Sequence, residues 1–408
     1  MKDGRWSTRP VCSDVSSLPH GIGKWVNEQL TPVQKNQPSY FKDSFALKEL
    51  LNPLRLPPNA RLFTSDARSM YTNIKTTEAL SSISAYLRAN RSKYSYPVNA
   101  LIDALHLVFE NNLFKFGDTF WRQTSGTAMG TPPAPSWATI FFGIYEDELV
   151  PRWSEQISFY KRFIDDVFGI WLTHQDPDED RRLWSEFERD MNGCHGLIWD
   201  CESPTTTVNF MDMTISIVNG RLSTTLYEKK ANLYLYIPPH SSHPKGVLTG
   251  LVFGQILRIR RLCSIKADAD NKIQQFFTRL LARGHSADTL TPLFVKAEEN
   301  AKSFILRSAN DFEQLNRERF AASQNQIFFH LQFHPQDPKA KEIQKLWQEH
   351  VSEPPNDTPL ERCTNYEGEA VGFNKLVIAY SRPLNLRNRF SVRDIDGRGR
   401  NVSEYLAE

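Results

Sequence analysis

The stretch Phe159-Tyr-Lys-Arg-Phe-Ile-Asp-Asp-Val-Phe-Gly-Ile-Trp171 is the part of this 408-residue sequence that says most about the fold. Aromatic and β-branched residues dominate it, which is typical of β-strands that pack on a core. The adjacent acids Asp165 and Asp166 interrupt the apolar run and fit the two-residue tip of a β-hairpin. The stretch therefore predicts a hairpin that carries two carboxylates at its turn.

These two carboxylates suggest a cation site. Like charges at adjacent positions repel each other unless a cation lies nearby. Mg²⁺ prefers carboxylate oxygens and shares its coordination shell with phosphate oxygens, so such a turn suits phosphoryl transfer. An exposed acidic turn that binds nothing is the simpler explanation when the hairpin is considered alone.

A third acid, Asp66, changes that interpretation. It ends an apolar run, 61–65, that predicts a second strand about 100 residues earlier in the chain. Considered alone, Asp66 would cap a turn or a helix. Together with Asp165 and Asp166 it completes the carboxylate set of a two-metal phosphoryl-transfer site. We therefore predict that these three aspartates are catalytic and bind two Mg²⁺ ions, or Mn²⁺ in their place.

Between these acids lies a loop of small residues and prolines, Thr124-Ser-Gly-Thr-Ala-Met-Gly-Thr-Pro-Pro-Ala-Pro135. Its glycines would let a nucleotide or base pair approach the backbone closely, although the same composition also fits a plain helix-entry loop. The mostly apolar segment from Pro133 to Leu149 predicts a helix after the loop.

The remaining periodicity predicts a mixed sheet domain. Helical spacing of apolar residues covers 77–90, 98–111 and 178–191, and a later helix is predicted over 291–304. A hairpin is predicted over 113–123 with its turn at Gly117-Asp118, and a strand pair over 208–218 and 222–226, joined by a type I′ turn at Asn219-Gly220. This alternation predicts an α+β fold.

A basic segment follows the predicted sheet domain. Although the net charge of the chain is only +2, residues 245–283 contain eight cations and two acids at helix-compatible spacing. The cations are Lys245, Arg258, Arg260, Arg261, Lys266, Lys272, Arg279 and Arg283. Such a segment is either a solvated helix surface or a surface that contacts a polyanion.

Cysteine spacing and hydropathy exclude several other classes. The five cysteines lack disulfide-framework or CxxC spacing, which indicates a reducing compartment, and Cys194, His195 and Cys201 lack the second ligand pair of a zinc finger. The longest dense apolar stretch, 137–145, is far shorter than the roughly 20 residues that cross a bilayer. We expect an intracellular protein with no membrane partner.

In chain order, three pieces resemble the palm motifs of reverse transcriptases. They are Phe63-Thr-Ser-Asp66 with Tyr71, Met129-Gly-Thr-Pro-Pro-Ala-Pro135, and Phe163-Ile-Asp-Asp166. The chain resembles the Penelope-like element reverse transcriptases more closely, from about residue 9 to about residue 285. That resemblance rests on Ser65-Asp-Ala-Arg-Ser-Met-Tyr-Thr-Asn-Ile74, Gly126-Thr-Ala-Met-Gly130, Arg162-Phe-Ile-Asp-Asp-Val-Phe168, Asn209-Phe-Met-Asp212, Ser242-His-Pro-Lys245 and Gly254-Gln-Ile-Leu-Arg-Ile-Arg-Arg-Leu-Cys-Ser264.

The resemblance implies a right-hand polymerase architecture with fingers, a palm built on an antiparallel sheet, and an α-helical thumb. On this basis, partial fingers and a connection would cover residues 1–58, and the palm with inserted fingers helices would cover 59–244. The thumb would cover 245–330, and a C-terminal extension would cover 331–408.

The resemblance also implies an RNA-directed DNA polymerase that extends a DNA primer on an RNA template with dNTPs. By resemblance, Arg9 would contact the incoming triphosphate, and the Tyr71 ring would reject a ribose 2′-hydroxyl. Met129 and Gly130 would lie along the nascent base pair. The residues that would bind the nucleic-acid backbone are Lys245, Arg258, Arg260 and Arg261.

The sequence departs from the family pattern in places. Phe163 and Met129 stand where many reverse transcriptases have tyrosine and glutamine, although neither change removes a metal ligand. Arg9 lies close to the start of the sequence, so we expect the upstream fingers segment, with its basic residue, to be missing or replaced by Lys2. The alternative prediction is a truncated, catalytically silent retroelement remnant that binds nucleic acid or a partner. For an active retroelement polymerase, the resemblance implies a nuclear location.

Overall fold

The computed structural model of the protein describes residues 17, 19–116, 118–194, 196–229, 231–244, 246–305, 314, 317, 326–332, 338–350 and 375–381. The chain divides into two compact units, Met1–Asn232 with Arg261–Asp270, and Leu233–Arg260 with Asn271–Glu408. No helix in the described ranges is long and apolar enough to cross a membrane.

Helices and strands alternate along the chain, as the α+β prediction requires. The helices are α1 (His20–Lys35), α2 (Ser44–Leu51), α3 (Met70–Asn73), α4 (Thr76–Ala89), α5 (Val98–Glu110), α6 (Ala134–Arg152), α7 (Pro177–Met191), α8 (Gly246–Leu262), α9 (Lys266–Ala282), α10 (Ala287–Ile305) and α11 (Ala340–His350). The strands are β1 (Ala60–Ala67), β2 (Leu113–Phe116), β3 (Thr119–Arg122), β4 (Ile157–Phe163), β5 (Asp166–Leu172), β6 (Trp199–Cys201), β7 (Thr207–Phe210), β8 (Met213–Val218), β9 (Arg221–Leu226), β10 (Gln326–Gln332) and β11 (Lys375–Ser381).

The main sheet of the first unit has the strand order β4-β5-β1-β6, and each neighbouring pair is antiparallel. The pairing brings Phe63 of β1 opposite Gly169 of β5. A Cβ atom at Gly169 would lie 2.2 Å from the Phe63 ring, so only glycine permits this close approach. Phe63 also packs edge-on against Trp184 and Phe187 of α7, at centroid distances of 5.2 and 5.5 Å. Helix α7 therefore covers this face of the sheet.

Helices α6 and α7 begin and pack as their sequences predict. Asp176 accepts a hydrogen bond from the Asp178 N–H at 3.0 Å, and Pro177 occupies the first turn of α7, which also contains three acids. Helix α6 is apolar on nearly all sides and is buried along most of its length. A helix of that kind belongs inside a core, and α6 packs against α1, α4 and β4.

The second sheet of the first unit corrects one prediction. The segment predicted as a single strand over 208–218 is a hairpin of β7 and β8, in which Phe210 pairs with Met213. Met211 at the turn has a φ of +52°, so the chain reverses without a glycine or proline to mark the turn. The predicted turn at Asn219-Gly220 is confirmed, because both residues have positive φ and join β8 to β9.

The second unit packs mainly through helices. The rings of Phe276 on α9 and Phe294 on α10 lie 5.4 Å apart, and Tyr236 packs edge-on against Phe276 at 5.1 Å. Arg260 on α8 forms an ion pair with Glu298 on α10 at 2.9 Å. The predicted helix over 291–304 is confirmed, although α10 begins earlier, at Ala287. A parallel pair of strands, β10 and β11, was not predicted from the sequence.

Candidate active site

The structure brings Asp66, Asp165 and Asp166 together at one end of the main sheet. Asp66 of β1 pairs directly with Asp166 of β5 in the antiparallel ladder. Directly opposite residues in such a ladder point to the same face, with Cβ atoms about 4.5–5.5 Å apart. The N–H of Ala67 donates to the carbonyl oxygen of Asp165 at 2.9 Å, which holds the third acid beside the other two.

The hairpin tip lies one residue earlier than predicted. Phe163 pairs with Asp166, so Ile164 and Asp165 form the turn and Asp166 begins β5. The register with β1 accounts for this shift, because it places Asp166 inside the ladder opposite Asp66. Ile164 has a φ of +56°, a left-handed conformation that a β-branched residue rarely adopts. The turn that carries Asp165 is therefore held against its local preference.

The carboxylates influence one another electrostatically. Burial, together with the negative charges of Asp165 and Asp66, raises the pKa of Asp166 to about 6, and Lys229 acts in the opposite direction. A raised carboxyl pKa means that the fully ionised cluster is unfavourable without further positive charge. Strongly perturbed acids of this kind are typical of functional sites.

The donor set fits Mg²⁺ in an open site. Within the part of the chain that the structure describes, no group of three or more His, Cys, Asp or Glu side chains is placed so that it could hold a metal ion. Mg²⁺ in phosphoryl-transfer sites commonly takes one or two carboxylates and completes its shell with water and substrate phosphate oxygens. The carboxylates of Asp66, Asp165 and Asp166 are donors of this kind, and the raised pKa of Asp166 shows that further positive charge would be favourable beside them. An enclosing protein cage is not needed.

Tyr71 lies beside the carboxylate cluster. Burial and the charge of Asp165 raise the pKa of Tyr71 to about 12, so the phenol stays protonated at neutral pH. The N–H of Thr127 donates to the Tyr71 carbonyl at 2.5 Å. Gly126 has a φ of +81°, and a Cβ atom there would lie 2.8 Å from the Thr72 carbonyl oxygen. The small-residue loop is thus hydrogen-bonded to α3, which carries Tyr71, and packs closely against its backbone.

Met129 and Gly130 lie on this same loop. Met129 is half-buried, and Gly130 is exposed with a φ of +119°. The preceding Ala128 is buried, and its carbonyl accepts a hydrogen bond from the Thr131 hydroxyl at 3.1 Å. The loop is therefore anchored from inside and presents Met129 and Gly130 near its surface.

The predicted basic residues fall in different settings. Arg9 and Lys245 lie outside the described residues. Arg258 is half-buried, and Arg260 is paired with Glu298. The guanidinium of Arg261 lies 3.7 Å from the centroid of the Phe45 ring. Arg260 and Arg261 thus have intramolecular partners, and a role in nucleic-acid binding stays a prediction for all of these residues.

The zinc alternative gains no support from the two described cysteines of that group. Burial raises the pKa of Cys194 to about 12 and that of Cys201 to about 11, which disfavours both thiolates in the metal-free protein. Zinc binds the thiolate form. His195, the third residue of the group, lies outside the described residues.

Two residues at the border of the site were missed from the sequence. Asp200 of β6 pairs with Asp66 on the side opposite β5, which extends the row of acids across three strands. The Nε of Arg68 donates to both carboxylate oxygens of Asp200 at 2.7 Å. Strand β6 spans only three residues, too few to show a periodicity, so its pairing with β1 could be found only in the folded structure.

Comparisons with known proteins give one family-model match, which is to an animal helix-turn-helix domain over residues 235–292. This segment contains α8, α9 and the start of α10. No curated protein matches the sequence.

Solved structures of polymerases are similar to the chain at low identity. An apo telomerase from Candida Tropicalis, truncated from its C-terminal domain, is 13% identical over 51% of this chain and 46% of that chain, with a TM-score of 0.37. The telomerase from Candida albicans in complex with a TWJ fragment of telomeric RNA is 7% identical over 71% of this chain and 52% of that chain, with a TM-score of 0.49. The BmCPV RNA-dependent RNA polymerase at elongation state is 13% identical over 60% of this chain and 23% of that chain, with a TM-score of 0.39.

The chain thus spans about half the length of the two telomerase chains, 46% and 52%, and 23% of the viral polymerase. Each of these TM-scores is below 0.5, so the similarity supports no conclusion about the activity of this chain.

Proposed function

We propose that this chain is an RNA-directed DNA polymerase that adds deoxynucleotides to a primer 3′-hydroxyl at Asp66, Asp165 and Asp166. The observation that carries the proposal is the register of the main sheet, which sets Asp66 opposite Asp166 and beside the Asp165 turn. The raised pKa of Asp166 supports a demand for cations at this place. The sequence resemblance to Penelope-like element reverse transcriptases supports the same activity.

In this mechanism the chain supplies a rigid set of anionic ligands. Asp66 and Asp165 would be the principal ligands of two divalent cations, and Asp166 would support them. Bound Mg²⁺ or Mn²⁺ would lower the pKa of the primer hydroxyl and neutralise the triphosphate charge. The ladder between β1 and β5 and the hydrogen bond from Ala67 fix the spacing of the carboxylates. Positioning of this kind, together with electrostatic stabilisation, is what a protein contributes to phosphoryl transfer.

Tyr71 and the small-residue loop would select the substrate. The Tyr71 ring lies close enough to Asp165 for the carboxylate charge to raise the phenol pKa, so it borders the space beside the cluster. A bulky neutral ring at that place would exclude a ribose 2′-hydroxyl and favour dNTPs. Met129 and Gly130 on the small-residue loop would lie along the nascent base pair.

The RNA template and DNA primer would be bound largely through their phosphates. Arg258, Arg260 and Arg261, together with Arg9 and Lys245, remain the candidates for these contacts, which need no base recognition. The division into fingers, palm and thumb belongs to the same proposal. So does a nuclear location, where a retroelement polymerase would reach chromosomal DNA.

Primer extension tests the proposal. The parent chain and the Asp165→Asn variant would be compared on poly(rA)/oligo(dT) with dTTP and Mg²⁺ or Mn²⁺. We expect extension by the parent and a loss of about 10³-fold in the variant, because several kcal/mol of charge stabilisation in the transition state depend on that ligand.

The matched control is Asp103→Asn, which removes an exposed carboxylate from α5 and should extend like the parent. A folded parent that binds primer–template but extends nothing with either cation would reject the polymerase and leave nucleic-acid binding without catalysis as the remaining function.

A further inference from the structure

Arg162 is a fully buried cation two residues before the turn that carries Asp165. Its side chain is 0% exposed, and its partner Glu146, in the middle of α6, is 4% exposed. The Nε and Nη2 atoms of Arg162 each donate to the Glu146 carboxylate at 2.7 Å. Removing two charges from water is unfavourable, and apolar residues would fill this space at lower cost. The pair therefore calls for an explanation other than stability.

The remaining donors of Arg162 show what the pair does. Nη1 donates to the carbonyl oxygen of Ile164 at 2.8 Å, and Nη2 also donates to the carbonyl oxygen of Thr139 on α6 at 2.9 Å. One planar guanidinium thus joins the helix backbone, the helix carboxylate and the turn. Arginine alone offers five donors in a rigid fork that can make these contacts together.

The acceptor side of the network is equally complete. Glu146 also accepts from the Tyr160 hydroxyl at 2.8 Å and from the Ser39 hydroxyl at 2.5 Å. Burial, with the charge of Glu146 beside it, raises the pKa of Tyr160 far above its usual value, so the phenol remains a donor. The Arg162 N–H donates to the Ser39 carbonyl at 2.9 Å. A buried polar network with all of these groups satisfied is rigid.

We propose that Arg162 and Glu146 are positioning residues that hold the Ile164–Asp165 turn in its left-handed conformation and thereby aim Asp165. Ile164 at a φ of +56° does not favour this conformation by itself, and Arg162 holds its carbonyl oxygen. The same guanidinium also donates to the Thr139 carbonyl oxygen, so it connects the turn to α6. Helix α6 follows the loop that carries Met129 and Gly130. The expected effect on catalysis rests on the proposed polymerase function. The expectation that Arg162 fixes the conformation of the turn does not depend on that function.

Two variants separate this role from general stability. Arg162→Lys keeps a positive charge opposite Glu146, but a single ammonium cannot reach Glu146, Ile164 and Thr139 together. The triple variant Glu146→Leu, Tyr160→Phe and Arg162→Met replaces the charged network by apolar side chains, which buried sites of this kind commonly tolerate. The control is Arg182→Lys, which changes an arginine that bonds Glu179 and Glu186 on the exposed face of α7.

Two readouts are needed, hydrogen–deuterium exchange of the amides over 157–172 and the kcat and KM for dTTP. We expect faster exchange at the turn in both variants and parent-like exchange in Arg182→Lys. We also expect kcat to fall by about 10²-fold, because a displacement of about 1 Å at a reacting centre has that effect, with KM changed by less than about twofold.

The outcomes distinguish this inference from the polymerase proposal. Parent-like exchange at the turn in both variants overturns the inference, whether or not the chain polymerises. Faster exchange with parent-like kcat overturns the catalytic consequence alone. A folded parent without any extension contradicts the polymerase proposal, and the exchange comparison still decides whether Arg162 holds the turn.

Discussion

Strand β1 has an acid opposite Asp66 on both sides, and the two sides differ in how that charge is balanced. On β6, Asp200 receives hydrogen bonds from Arg68 at 2.7 Å. On β5, the positive charge of Lys229 offsets burial and the neighbouring acids only in part, and the pKa of Asp166 is raised to about 6. The same sheet row therefore has one side that the chain neutralises and one side where negative charge accumulates. A catalytic divalent cation is expected only on the β5 side.

The sharpest contrast between the two sides is in activity. We expect Asp66→Asn to lower kcat for primer extension by about 10³-fold, because it removes a proposed cation ligand from the carboxylate cluster. Asp200→Asn should change kcat by less than about fivefold, because it removes only the surface partner of Arg68. Single-turnover extension measures the rate of both variants. An equal loss of rate in the two variants would contradict the expected difference between the β5 and β6 sides.

A second contrast concerns sugar selection, since Tyr71 lies near Asp165 on the β5 side. Tyr71→Ala should raise the ratio of kcat/KM for UTP to that for dTTP by about 10- to 100-fold, because the proposed exclusion of the 2′-hydroxyl by the ring would be lost. Tyr71→Phe serves as the control, because it keeps the ring and should keep the parent ratio. An unchanged ratio in the alanine variant would remove Tyr71 from substrate selection.

A third contrast concerns how the stability of the folded protein depends on pH. The folded-state pKa of Asp166 is about 6, above the ordinary value of 3.8, so the folded state binds more protons than the unfolded state between those values. The free energy of unfolding therefore decreases as pH rises through this window, and the loss persists above it. Asp166→Asn should remove this loss and stabilise the metal-free protein at pH 7.5 by about 1–2 kcal/mol after allowance for solvent screening.

Thermal or urea unfolding at pH 4 and pH 7.5 measures the effect of Asp166→Asn. The increase in the free energy of unfolding should vanish near pH 4, where the Asp166 carboxyl of the parent is protonated in the folded state. Mg²⁺ should also reduce the difference at pH 7.5, because it stabilises the parent through the ionised carboxylate. A variant that is less stable than the parent at pH 7.5 without metal would contradict the assigned charge balance.

The smallest effect is expected at Arg68. Arg68→Met removes an exposed positive charge from the β6 side, which should strengthen Mn²⁺ binding by about twofold at low salt, with no change at high salt. Isothermal titration at two salt concentrations measures this. Weaker Mn²⁺ binding in the variant would mean that Arg68 supports the metal site rather than opposing it.

The sequence predicts well where periodicity is long and local. Helices α4, α5 and α7 and strand β1 appear close to the predicted bounds, because each has many apolar residues at one spacing. The α+β class follows from their alternation. The break at Met211 was missed because apolar residues continue across the turn, and the hairpin tip was misplaced by one residue because its register depends on β1.

The site shows the same division between local and long-range information. Asp66, Asp165, Asp166 and Tyr71 could be singled out from motif order, and the structure places them together. The Arg162–Glu146 pair could not, because Arg162 stands in a motif without any sign that it is buried, and Glu146 resembles a surface acid in sequence. Burial of a charge follows from packing between α6 and β4, which no single segment encodes.

The most direct test of the central claim is to count Mn²⁺ ions in a complex with primer–template and dTTP, using a chain-terminated primer to prevent turnover. The parent and Asp200→Asn should each bind two ions, whereas Asp165→Asn should bind fewer. Equal binding by all three proteins, or no binding by the parent, would contradict a two-metal site on the β5 side of Asp66.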